Sequence, residues 1–154
     1  WQTFTITAAH EHFLSNLIKQ KLMTNIEKLN NNKPEKTDKV FVLYLPYDEV
    51  HELGLMYLNY EVISNGYKSI YLGESVPLES LKDLKNYFDN IVYVCYMTVE
   101  PQKEEVENYI QRIENEVIDE TSELWLIGRM TEYAQKERPY MRVFNSIESL
   151  SENL

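Results

Sequence analysis

Five short apolar runs, each followed by a stretch with helical periodicity, constrain this chain more than any other feature. The strand signals fall at residues 40–45, 69–72, 91–96, 124–127 and 141–144, and the helical ones at 50–64, 78–88, 102–118, 131–137 and 147–152. Strands that alternate with helices imply an α/β fold: a doubly wound, five-stranded parallel sheet with helices on both faces. Leu124-Trp125-Leu126-Ile127 shows no polar alternation, which marks a strand buried on both sides. Gly66 stands where a helix C-cap is expected, and Pro77 and Pro101 where first helical turns begin.

Ahead of this unit the pattern differs. Residues 1–8 alternate polar and apolar and read as a strand, whereas from Ala9 the apolar positions Leu14, Ile18, Leu22, Ile26 and Leu29 follow a helical period. Asn30-Asn31-Asn32-Lys33-Pro34-Glu35-Lys36-Thr37-Asp38 is polar and broken by proline. The expected organisation is a helical part at 1–32, a linker at 33–38 and an α/β domain at 39–154. A chain that opens at Trp1 reads as the end of something longer, with an amino-terminal domain ahead of it.

Composition removes several function classes. A net charge of −10 disfavours direct contact with nucleic acid, whose phosphates demand clustered Lys and Arg. DNA is expected only through the missing amino-terminal part. The single cysteine, Cys95, excludes an internal disulfide and fits a reducing cytoplasm. No apolar run approaches the ~20 residues of a membrane helix. The four glycines, Gly54, Gly66, Gly73 and Gly128, form no phosphate-cradling cluster. A phospho-receiver shares this topology, but the third strand ends Val94-Cys95-Tyr96-Met97, with no carboxylate to accept a phosphoryl group. A thiol at the end of a buried strand is usually packed and inert, so Cys95 is not expected to act as a nucleophile. His10 and His12 lie about 200° apart on a helix and cannot share one ion.

The chemistry converges on Glu49-Val50-His51-Glu52-Leu53-Gly54. His51 follows the first strand and so sits at the carboxyl edge of the sheet, where open α/β sheets bind ligands. A neutral imidazole is a good ligand for a transition metal, and a carboxylate on its other nitrogen fixes the tautomer. Gly54 lets a bulky planar group approach the backbone. The spacing acidic-x-His-x-x-Gly resembles the cobalamin-binding signature of corrinoid proteins, with Glu49 where Asp is usual. That resemblance implies a flavodoxin/Rossmann-like cobalamin-binding domain in which His51 coordinates cobalt from below and displaces the cofactor's own base.

Trp1, nine residues, then Glu11-His12 resembles the lid of MerR-type transcriptional regulators that sense adenosylcobalamin, the light-responsive branch included. By that resemblance Trp1 covers the upper face of the corrin, Glu11 and His12 contact the adenosyl group, and Ala8 leaves room for it. His10 and His12 are then the candidates to take cobalt once that group leaves. Ser75, in the loop after the second strand, is expected at the corrin edge. Two departures bear on the slot for the nucleotide tail. Its serine-x-leucine wall corresponds to Cys95, Tyr96 and Met97, and its glycine pair to Gly128-Arg129, where Arg129 either pairs with the tail phosphate or plugs the slot. The implied function is a non-enzymatic, cytoplasmic sensor, a homo-oligomer whose corrinoid controls self-association and DNA binding. The alternatives are a corrinoid-carrying subunit of a methyltransferase and a cofactor-free dimerisation domain.

Overall fold

The computed structural model describes residues 7–154, so Trp1 and all but the end of the 1–8 segment lie outside the described residues. The α/β unit is as the periodicity implied. Strands β1 (Lys36–Tyr44), β2 (Tyr67–Gly73), β3 (Ile91–Tyr96), β4 (Glu123–Ile127) and β5 (Met141–Phe144) pair in parallel in the order β2-β1-β3-β4-β5. The order reverses between β1 and β3, and the loops leaving those two strands therefore diverge and open a crevice at the carboxyl edge.

Each face of the sheet carries its own apolar layer because successive side chains point to opposite sides. Phe41, Leu43, Val92, Val94, Trp125 and Phe144 face helices α2 (Leu53–Ser64) and α5 (Ile147–Ser151). Val42, Tyr44, Tyr93, Cys95, Leu124 and Leu126 face α3 (Glu79–Lys82) and α4 (Val106–Glu116). The Trp125 ring, 1% exposed, lies 5.0 Å from Phe144 and 5.4 Å from Phe41, in keeping with the unbroken apolar run over 124–127.

Several expected elements come out shorter or earlier, the 102–118 helix among them, which runs only over Val106–Glu116. The 78–88 helix is one turn of α-helix that tightens into a 3-10 turn over Asp83–Asn86. The 131–137 helix is a 3-10 turn over Arg129–Tyr133, because Thr131 bonds back to the Gly128 carbonyl through both its amide, at 3.2 Å, and its hydroxyl, at 2.8 Å. The expected linker is partly strand. Glu35 and Lys36 donate their amides to the Gly66 carbonyl, both at 2.9 Å, which starts β1 at Lys36, and a register shift follows before Val40.

Helix α1 (Ala8–Asn30) begins at a capping box in which the Thr7 side chain accepts the His10 amide. The His10 ring returns to Thr7, its Nδ1 being 2.8 Å from the hydroxyl, and is thereby occupied as a cap. Leu22, Ile26 and Leu29 of the apolar stripe are half-buried, while Leu14 and Ile18 remain exposed. The reason is length. Lys19 pairs with Glu52 just ahead of α2, and Leu29 lies beside Ile63 and Ser64 at its end, so the two helices run alongside in one direction. Residues 8–18 therefore extend about 16 Å past the start of α2, on the carboxyl-edge side of the sheet. Phe13 and Leu17 are exposed along this overhang.

Candidate functional site

The β1 strand ends against Pro46, and the chain turns at once: the Glu49 amide returns to the Pro46 carbonyl at 3.0 Å. Asp48 takes a left-handed conformation, φ 65°, and across the edge Ser75 does the same at φ 52°. The two are tied together. The Ser75 hydroxyl accepts the Asp48 amide at 3.1 Å, and the Ser75 amide donates to the Glu49 carbonyl at 3.1 Å. Non-glycine residues hold this backbone only where their surroundings fix it, and here two loops fix each other. Ser75 thus braces the turn that presents His51.

Glu49 is 1% exposed and is the organising group of the site. Its Oε1 accepts the amides of Val50 and His51, at 3.0 and 3.1 Å, and faces the His51 Nδ1 at 2.6 Å. Its Oε2 accepts three successive amides of the loop after β3: Thr98 at 3.1 Å, Val99 at 2.6 Å and Glu100 at 2.9 Å. Burial pushes the carboxyl up, but the Glu100 and Val99 amides and the His51 ring and amide outweigh it, leaving Glu49 at about 2. One carboxylate therefore pins together the two loops that flank the crevice.

The ionised Glu49 can only accept, so the His51 Nδ1 carries the proton on this bond. That fixes the tautomer and leaves the Nε2 lone pair on a ring whose side chain is 58% exposed. An oriented imidazole backed by a buried anion is the arrangement of a metal-ligating histidine with its outer carboxylate. Among the described residues no cluster of three or more His, Cys, Asp and Glu could enclose an ion.

Gly54 opens the helix three residues later, and the space above it is taken. A Cβ built there would lie 2.8 Å from the Tyr96 ring and 2.9 Å from its hydroxyl. The expectation that Cys95, Tyr96 and Met97 line one slot is corrected by the alternation of β3. Tyr96 faces α2, while Cys95 and Met97, both 0% exposed, point into the layer under α3 and α4. Burial pushes the Cys95 thiol up to about 12, which keeps it protonated. Gly128 closes on the β3 loop directly, for a Cβ there would sit 2.3 Å from the Met97 carbonyl oxygen. Arg129 is exposed and enters no ion pair among the described residues.

Ala8, Glu11 and His12 are exposed on the α1 overhang, and Trp1 lies outside the described residues. The structure adds a link that the sequence did not suggest. Glu52, next to His51, accepts the Tyr71 hydroxyl at 3.0 Å on one oxygen and takes the Lys19 ammonium on the other. The site's loop is thereby joined to α1.

No protein-family model matches the chain, and neither does any curated protein. Among solved structures, the chain is similar to the monomethylamine corrinoid protein of Methanosarcina barkeri. That match has a TM-score of 0.71 at 13% identity and covers 96% of this chain and 70% of that one. A cobalamin-binding protein from Desulfitobacterium hafniense matches with a TM-score of 0.55 at 11% identity, over 94% of this chain and 71% of that one. At such identities the likeness establishes a shared fold: a flavodoxin/Rossmann-like parallel sheet with a helix ahead of it. No helix among the described residues is long and apolar enough to cross a membrane.

Proposed function

We propose that this chain is a corrinoid-binding sensor module, the helical and α/β portion of a MerR-type transcriptional regulator, with His51 as the lower ligand of cobalt. The observation that carries the reading is the 2.6 Å pairing of the His51 ring with buried Glu49 at the crevice of the sheet. The donor set fits: one oriented, exposed nitrogen suits a metal that brings its four equatorial ligands in a macrocycle. One structural neighbour is a corrinoid protein and the other a cobalamin-binding protein, which supports the same ligand class here.

In this reading the ligand is of the adenosylcobalamin class. When bound, it supplies a cobalt–carbon bond that light can break. The chain's own residues supply the rest. Glu49 and Ser75 hold the His51 loop, while Glu11 and His12 on the α1 overhang lie toward the edge where the upper ligand would stand. A ligand biases self-association only through different affinities for two states. The Lys19–Glu52 pair is the contact through which α1 would register an occupied site. The oligomeric state would in turn set DNA binding through an amino-terminal domain, in the cytoplasm.

A methyltransferase's corrinoid-carrying subunit is the second reading. It is favoured by the extent of the likeness to the monomethylamine corrinoid protein, which takes in α1 as well as the sheet. Tight corrinoid retention together with operator binding by the longer protein would favour the regulator, and turnover with a methyl-donor partner the subunit.

The test is direct. Purified chain mixed in the dark with adenosylcobalamin, and separately with its tail-less counterpart, should co-elute with corrin absorbance and change elution volume on illumination. His51→Ala should weaken retention on the order of a hundredfold, the scale of losing a metal-ligand arrangement. Absence of corrin absorbance with the wild-type chain in both mixtures would end the proposal.

A further inference from the structure

We infer that Tyr96 sets the ligand specificity of the His51 site, and that the site takes a corrinoid lacking its nucleotide base in preference to a complete one. The inference rests on the corrinoid reading above and adds which member of that class fits.

The argument is one of space. A ligand whose cobalt sits on His51 and whose appended base must be put away needs a gap beside the imidazole, between the start of α2 and the ends of β3 and β4. Two independent contacts narrow that space. At Gly54 the Tyr96 ring already stands where even a methyl group would be 2.8 Å away. At Gly128 the backbone of the β3 loop is in contact, with the Met97 amide donating to the Ile127 carbonyl at 2.8 Å and the Met130 amide to the Met97 carbonyl at 3.1 Å. Side chains that would have to leave for the gap to open differ in cost. Met97 is fully buried and its backbone is bonded on both sides, so it stays. Tyr96 is half-buried, its hydroxyl makes no hydrogen bond among the described residues, and it is the group that can swing. Displacing it returns an aromatic ring to water.

The ring, rather than the hydroxyl, is the obstacle, and this makes the assignment specific. A complete corrinoid must either expel the ring or leave its own base dangling outside, whereas a tail-less corrinoid needs neither. Tyr96→Phe keeps the obstacle, and Tyr96→Ala removes it.

Equilibrium titration of the purified chain, followed in the visible spectrum in the dark, should show the tail-less probe cobinamide binding roughly ten- to a hundredfold more tightly than cobalamin, the penalty of exposing a packed ring. Tyr96→Phe should keep that ratio, and Tyr96→Ala should collapse it by tightening cobalamin. Equal binding of the two probes by the wild-type chain, or an unchanged ratio in folded Tyr96→Ala, overturns the role of Tyr96 while leaving the His51 reading standing. Binding of neither probe overturns both. Should Tyr96→Ala not fold, the wild-type ratio decides, and Tyr96→Leu, apolar and lacking the ring's breadth, replaces it in the comparison.

Discussion

Replacing Gly128 with alanine is expected to lower the unfolding free energy by about 3–5 kcal/mol, combining a backbone conformation that disfavours side chains with overpacking. Gly128 sits at φ 109°, ψ 169°, a region that glycine alone adopts without strain. The added Cβ would meet the Met97 carbonyl oxygen at 2.3 Å and its carbonyl carbon at 2.7 Å. Neither can yield cheaply, since that carbonyl accepts the Met130 amide and the Met97 amide is bonded to Ile127. Gly54 offers the contrast. The nearest atoms there belong to the tip of the Tyr96 side chain, and alanine gains helix propensity at the first turn of α2, so Gly54→Ala should cost far less. Urea denaturation of the two variants beside the wild type checks the ranking. A Gly128→Ala midpoint within error of Gly54→Ala would show that the β3 loop is looser than its contacts imply.

The same two glycines show what could be read from the sequence and what could not. The strands were legible because β1, β3 and β4 are buried on both faces, leaving runs such as Leu124-Trp125-Leu126-Ile127 without polar interruption. The short helices were not, because a 3-10 turn after β4 is decided by Thr131 bonding to one carbonyl, a choice that periodicity does not carry. The Glu49–His51 pairing was visible as a two-residue spacing. Its counterpart, the amides of Thr98, Val99 and Glu100, was hidden, since a backbone N–H has no residue identity. The separation of Tyr96 from Cys95 and Met97 was available in principle, because alternation sends the middle of three successive extended residues to the face opposite its neighbours. That Tyr96 rests on Gly54 depends on how closely α2 approaches β3, which no local pattern states. The capping contact of His10 had a signal in the sequence, Thr7 three residues earlier.

Glu49→Gln should destabilise the domain by about 3–5 kcal/mol at neutral pH, the scale of breaking a buried hydrogen-bonded charge, and the penalty should shrink in acid. Three donors converge on each carboxylate oxygen, so a carboxamide of the same shape must turn its own NH2 toward one set of three and leave those donors unpaired. The pH dependence follows from the depressed pKa. Glu49 stands at about 2 in the fold against an ordinary value of 4.5, so its contribution is fully present above 4.5 and is lost as pH falls toward 2. The difference corresponds to about 3 kcal/mol, most of it gone by about pH 3. Denaturation of wild type and Glu49→Gln at pH 7, 5, 4 and 3 would therefore show two stability curves converging below pH 4.5. A gap that stays constant down to pH 3 would mean that the carboxylate is not held ionised by its donors. On the corrinoid reading, the same variant weakens the proposed cobalt ligand, His51, without touching it. With a neutral amide behind His51, the Nδ1 proton is held less firmly and the Nε2 lone pair is less basic, so corrinoid retention should fall about ten- to a hundredfold even where the domain remains folded. A structural role for Glu49 alone would move the denaturation midpoint and leave the affinity of the folded fraction unchanged.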